Sequence, residues 1–194
     1  MLTAINETKT DFLRDLQVED THFNVLESLS NGESKYLKDL RINLKNALSA
    51  ENISRKEANL IALATAVNEE NTVLTNAFAE LAAESEATPA EIADAIACAS
   101  LLSTNNVLYR FRHFAENEAY EQQPARVKMN IMMNPVLGKE LFELISLAIS
   151  AVNGCERCVN AHEESMRKLG ASEARIFDAI RLAAVVVGVS KVLR

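Results

Sequence analysis

Apolar residues recur at steps of three and four along almost the whole chain. Leu60, Leu63 and Val67 show the spacing, and so do Leu141, Leu144, Ile145, Ala148 and Val152. These steps gather side chains on one face of an α-helix, whereas a half-buried strand alternates at every second residue. No segment reads as a strand, so the pattern predicts an all-α protein. Helices are expected over residues 4–17, 21–30 and 33–49, separated at Glu19 to Thr21 and at Asn31-Gly32, a stop-and-turn pair. The next apolar stretch, 55–84, has a break near Asn68, and Pro89, a favoured first-turn residue, opens a helix that runs to about His113. Between Glu116 and Gly138 the pattern lapses: Gln122-Gln123-Pro124 and Asn134-Pro135 mark loops around a Met-rich segment, Lys128 to Met133, and this stretch reads as a connector. Helices over 138–152, 156–169 and 172–192 follow, divided by Asn153-Gly154 and by Gly170.

The helical pattern repeats itself. With a shift of about 85 residues, Ala66-Val67-Asn68 falls on Ala151-Val152-Asn153; with a shift of 84, Glu91 to Ile96 falls near Arg175 to Ile180. The chain is therefore expected to be a single domain, 1–194, built on two pseudo-repeat halves at about 50–115 and 135–194, each a helical hairpin followed by a long apolar helix. In that register Glu70, Val73 and Ala77 stand where the second half has Cys155, Cys158 and His162, which assigns the chemistry to the second half alone.

Composition narrows the function. The 194 residues are 48% hydrophobic and 24% charged, with five Gly, three Pro and no Trp, as suits a helical globular chain that needs no disulfide staples. A formal net charge of -7 spread along the chain repels phosphate backbones, so no nucleic-acid partner is expected. Met1 to Asp11 is polar, and no apolar run approaches the ~18 residues of a membrane span. A cytoplasmic protein without a membrane partner is the expectation. Three cysteines are too few and odd in number for a secreted disulfide framework, and a close pair in a reducing compartment is more often catalytic or metal-binding.

That pair is Cys155 and Cys158, with His162 four residues on. In a helix beginning near Gly154 the three share one face. A thiolate is the species that attacks peroxides and disulfides, and a helix start favours it through its exposed N–H groups and the positive end of the dipole. Arg157 adds positive charge between the thiols. Two sulfurs at this spacing can join, so one can resolve the oxidised form of the other. His162 stands where it can accept the Cys158 proton, and Glu143, twelve residues before Cys155 on the preceding helix, is the candidate to orient His162 or relay its proton. Other readings stay open: the pair could be half of a zinc site or an oxidant sensor, although the chain offers few further Cys or His ligands. Cys98, in the apolar run Ile96 to Leu102, reads as a core residue; His22 and His113 lack a matching spacing; and the pattern is not Cys-x-x-Cys-His, which disfavours haem attachment.

Taken together, the spacing Glu-x11-Cys-x2-Cys-x3-His at Glu143, Cys155, Cys158 and His162 resembles the alkyl hydroperoxide reductase D (AhpD) family, within the carboxymuconolactone decarboxylase-like superfamily of helical proteins. Ala151-Val152-Asn153, Ala161-His162-Glu163, Asn105 to Arg110 and Met129-Asn130-Ile131 look like family segments too, so the resemblance spans nearly the whole chain. It implies an AhpD-like helical bundle and an antioxidant thiol peroxidase. Cys158 would become the sulfenic acid, Cys155 would be the proton-donating and resolving partner, Cys155 and Cys158 would form the redox disulfide, and His162 (base) and Glu143 would form the proton relay. No tightly bound cofactor or metal is implied. Electrons would come from lipoamide on a lipoyl-bearing partner protein and pass to a peroxiredoxin, AhpC, and the protein would be a homotrimer. Studied members carry a histidine between the cysteines where this chain has Arg157, which cannot act as a base. A decarboxylase of the carboxymuconolactone type is the alternative within the superfamily, though it has no need of two thiols one helical turn apart.

Overall fold

Short polar side chains stand where helices begin. In the computed structural model, which describes the backbone of residues 2–194 and the side chains of residues 7–194, Ser54 accepts from the Glu57 N–H and Glu57 reaches back to the Ser54 N–H. Thr88 and Glu91 form the same reciprocal cap, with Pro89 at the first helical position. The helices are α1 (Leu2–Asp15), α2 (Asn24–Asn31), α3 (Lys35–Leu48), α4 (Arg55–Asn68), α5 (Thr72–Glu84), α6 (Pro89–Ala115), α7 (Glu118–Glu121), α8 (Lys139–Val152), α9 (Glu156–Lys168) and α10 (Glu173–Ser190). There is no strand among the described residues. The fold is all-α, and the break expected near Asn68 falls at 69–71. Within the connector, α7 and a 3-10 turn at Asn130–Met132 are the regular pieces.

α4 and α8 touch each other, and each touches both α6 and α10, so these four helices enclose the core. Spacing alone suggested one apolar stripe on each; the structure buries them on every side. Each residue from Ala58 to Ala66 in α4 and from Leu141 to Ser150 in α8 is buried. Alanine and serine among them leave room for neighbouring backbones, and the buried hydroxyls are satisfied locally: Thr65 donates to the Ile61 carbonyl and Ser146 to the Phe142 carbonyl, both at 2.8 Å. α5 packs on α4 and α6, α9 on α8 and α6, and α3 lies across α10 and α4 with α1 and α2 outside it.

The second hairpin matches the first in helix length. α4 and α8 have 14 residues each, α5 and α9 have 13, and the starts are displaced by 84 from Arg55 to Lys139, from Thr72 to Glu156 and from Pro89 to Glu173. The turns match bond for bond: Asn71 N–H donates to the Ala66 carbonyl at 3.0 Å, and Cys155 N–H to the Ser150 carbonyl at 3.1 Å. The register of 85 expected at Asn68 and Asn153 therefore needs correction by one residue. Asn68 is the last residue of α4, whereas Asn153 lies one beyond the end of α8. Opposite Cys155, Cys158 and His162 stand Asn71, Leu74 and Phe78, not Glu70, Val73 and Ala77.

Candidate active site

The turn between α8 and α9 places the thiols. Gly154 sits at φ 66°, a left-handed conformation that a side chain would strain. Cys155 follows as the N-cap of α9, so the helix starts at Glu156, the first residue of the helix expected over 156–169. Amides hold this turn. Asn153 exchanges two hydrogen bonds of 3.0 Å with Asn68 and donates to Asn106 Oδ1 at 2.9 Å; Asn106 in turn donates to Ser150 Oγ at 3.0 Å, and Arg110 donates to the Asn153 carbonyl at 2.5 Å. In the first half Asn71 caps α5 through the Leu74 N–H and ties the Ser190 and Leu193 carbonyls. At the matching position in the second half, Cys155 makes no side-chain cap and is joined through sulfur to Cys158 instead.

Cys155 and Cys158 are joined as a disulfide, with Cα atoms 5.3 Å apart. Cys155 is fully buried, while Cys158 retains 7% exposure and lines a cavity of about 320 Å³. One turn beyond Cys158, His162 lines the same cavity, and its Nδ1 lies 2.7 Å from Glu143 Oε2 on α8. Lys139, one turn before Glu143, holds the other carboxylate oxygen at 2.9 Å and also donates to the Met132 carbonyl. Burial alone would raise the Glu143 carboxyl; the His162 and Lys139 hydrogen bonds outweigh it and hold the group below its ordinary range. Glu143 is thus an ionised acceptor, which selects the His162 tautomer with the proton on Nδ1 and leaves Nε2 free of that task.

The structure brings all four sequence-derived residues into one place. Further contributors were not legible from spacing. Leu102, Asn105 and Tyr109 of α6, Met129 and Met132 of the connector, and Ala161 of α9 complete a mostly apolar cavity wall. Arg157 also lines it, lying over the Tyr109 ring at 5.8 Å and pairing with Glu121 of α7 at 2.5 Å. Lys139 had a usable signal, since i,i+4 spacing before Glu143 is the geometry of a helix ion pair. Cys98 is a core residue: its Sγ lies 3.4 Å from Ser146 Oγ, and burial pushes the thiol up to about 12, so it stays protonated near neutral pH. His113 Nε2 lies 3.4 Å from Glu156 Oε2 at the first residue of α9. Among the described residues, no three His, Cys, Asp or Glu side chains converge as a metal site, and no helix is long and apolar enough to cross a membrane.

Residues 118–194 match the family model of the Carboxymuconolactone decarboxylase family, a span that contains most of the connector together with α8, α9 and α10. The chain is 42% identical over 149 residues to "Alkyl hydroperoxide reductase AhpD" of Anaeromyxobacter dehalogenans, covering 76% of this chain and 79% of that protein. It is 38% identical over 168 residues to the protein of the same name from Methylobacterium sp., covering 87% of this chain and 95% of the other. A Bradyrhizobium sp. protein of that name is 38% identical over 165 residues, covering 85% of this chain and 91% of the other. With identity of 38–42% sustained across 79–95% of the length of these relatives, the chain belongs to the alkyl hydroperoxide reductase AhpD family.

Proposed function

We propose that this chain is a thiol-dependent alkyl hydroperoxide reductase in which Cys158 attacks, Cys155 donates a proton and resolves, His162 is the base and Glu143 orients it and relays its proton. One observation carries the reading: Cys158 and His162 line the same apolar cavity while Glu143 holds the far side of the imidazole ring. Once the disulfide is reduced, His162 Nε2 takes the Cys158 proton. The thiolate attacks the outer oxygen of a hydroperoxide, the O–O bond breaks, and the sulfur keeps that oxygen as sulfenic acid while the alkoxide leaves and is protonated. Attack by the Cys155 sulfur then forms the disulfide and releases water.

Two electrons return the pair to dithiol. Dihydrolipoamide on a lipoyl-bearing protein fits as donor, because a dithiol can displace both sulfurs in turn without any tightly bound cofactor. The reduced pair would pass electrons by the same exchange to the disulfide of a partner peroxiredoxin, AhpC. The working form is a cytoplasmic homotrimer. Support for assembly comes from α6, where Val107, Phe111 and Phe114 recur on one face and are all more than half exposed. Arg157, paired with Glu121 and set against Tyr109, supplies positive charge beside Cys158 but takes no proton.

The decisive variant is Cys158→Ser. Turnover of an organic hydroperoxide with dihydrolipoamide should fall to background; turnover that persists would place the reactive thiol elsewhere.

A further inference from the structure

Asn105 is buried, at 4% exposure, and lines the cavity that Cys158 and His162 open onto. Its Nδ2 donates to Met129 Sδ at 3.2 Å, a weak acceptor that orients the amide. The other end of that amide, Oδ1, is the one buried side-chain oxygen or nitrogen among the described residues that has no hydrogen-bond partner. An unsatisfied carbonyl in an apolar enclosure costs free energy, and such costs gather where a ligand later supplies the missing donor. The neighbouring amides show that the fold can satisfy such groups: Asn106, the next residue, has both ends of its side chain bonded.

We infer that Asn105 is a positioning residue for the hydroperoxide, its Oδ1 accepting the O–H of the peroxide's outer oxygen while the alkyl group lies along Leu102, Met129 and Met132. The inference rests on the proposed peroxidase reading and adds to it a specificity element. In an alkyl hydroperoxide the outer oxygen carries the hydrogen and is also the atom that sulfur takes. Accepting that hydrogen bond aims the oxygen at Cys158 without touching the leaving alkoxide. After transfer the same hydrogen belongs to the Cys158 sulfenic acid, so one bond spans the step. Atoms balance: Cys158 thiolate and ROOH give Cys158 sulfenic acid and alkoxide, the O–O bond is reduced, sulfur is oxidised by two electrons, and the alkoxide takes the proton held at His162. Dihydrolipoamide reaches the disulfide through sulfur and has no hydroxyl to offer, so the two half-reactions should depend on Asn105 unequally.

The test separates those half-reactions. Reduced wild-type protein and Asn105→Leu, a near-isosteric change that removes both polar ends, are each mixed with cumene hydroperoxide, and loss of free thiol is followed; the oxidised forms are then mixed with dihydrolipoamide. A neutral hydrogen bond predicts that the ratio of the peroxide rate constant to the dihydrolipoamide rate constant falls about five- to tenfold in the variant. An unchanged ratio overturns the inference, whether both rates hold or both fall together. Failure of the wild-type dithiol to react with the hydroperoxide would instead sink the peroxidase reading, so the two failures are told apart. Thermal unfolding of the variant guards against a folding defect, and removing an orphaned carbonyl should leave the midpoint equal or higher.

Discussion

A carboxylate with so little exposure as Glu143 persists as an anion only because cations or donors face both of its oxygens, and here one is Lys139 and the other the His162 ring. Its folded-state carboxyl lies below the ordinary value of 4.5, so its contribution to stability is complete above that pH and is lost as the pH falls through the depressed value. Urea unfolding of wild type and Glu143→Gln over a pH series should show a gap that is widest above 4.5 and closes in acid, and the variant should lose about a hundredfold in hydroperoxide turnover at neutral pH. Residues of this kind were readable beforehand for a physical reason. Cys155, Cys158 and His162 lie within one turn-and-helix unit, where sequence distance converts directly into spatial distance, and Glu143 is one turn-linked helix away. Asn105, Met129 and Met132 were not assignable to the site, because which face of α6 and which part of the connector meets α9 is decided by tertiary packing.

At the level of helices, caps and turn residues marked nearly every boundary, and the helix ends fall within a few residues of their sequence-derived positions. Burial was less accessible. A period of three and four announces a helix, but it does not distinguish a one-sided stripe from the all-round burial of α4 and α8, whose alanines and serines read as neutral until neighbours are known. Arg175, in the first turn of α10, fastens these central helices: it donates to Glu57 at the start of α4, to Glu140 at the start of α8 at 2.8 Å, and to the Asn52 carbonyl at 2.9 Å. Bonding to Glu57 raises the guanidinium above its ordinary value despite burial, and burial of Glu57 is outweighed by its bonds to Arg175 and Ser54. Arg175→Met should therefore lower the unfolding free energy by about 2 kcal/mol, between an exposed pair and a sealed one. Chemical denaturation reads it directly, and a loss near zero would mean the three bonds merely replace water.

For the whole molecule, the exposed face of α6 is the surface on which the proposed trimer rests. Val107, Phe111 and Phe114 lie at helical spacing, and Phe111 is extended by Tyr120 of α7 with ring centres 5.1 Å apart. A chain of net charge -7 tolerates such a patch when copies of itself cover it. Sedimentation of the native protein should give three times the chain mass, and Phe114→Glu should shift it to the single-chain mass; a monomeric wild type would remove assembly from the account.

The wall opposite the thiols is shared between a long helix and a loop. Met129 and Met132 belong to the connector, whereas Cys158 and His162 belong to α9 and Cys155 caps it. On the proposed function, selectivity and reactivity are thus written on separable stretches of chain. Breeding new acceptance for bulkier or smaller oxidants would begin by varying the loop methionines, leaving the electrochemistry of the dithiol untouched.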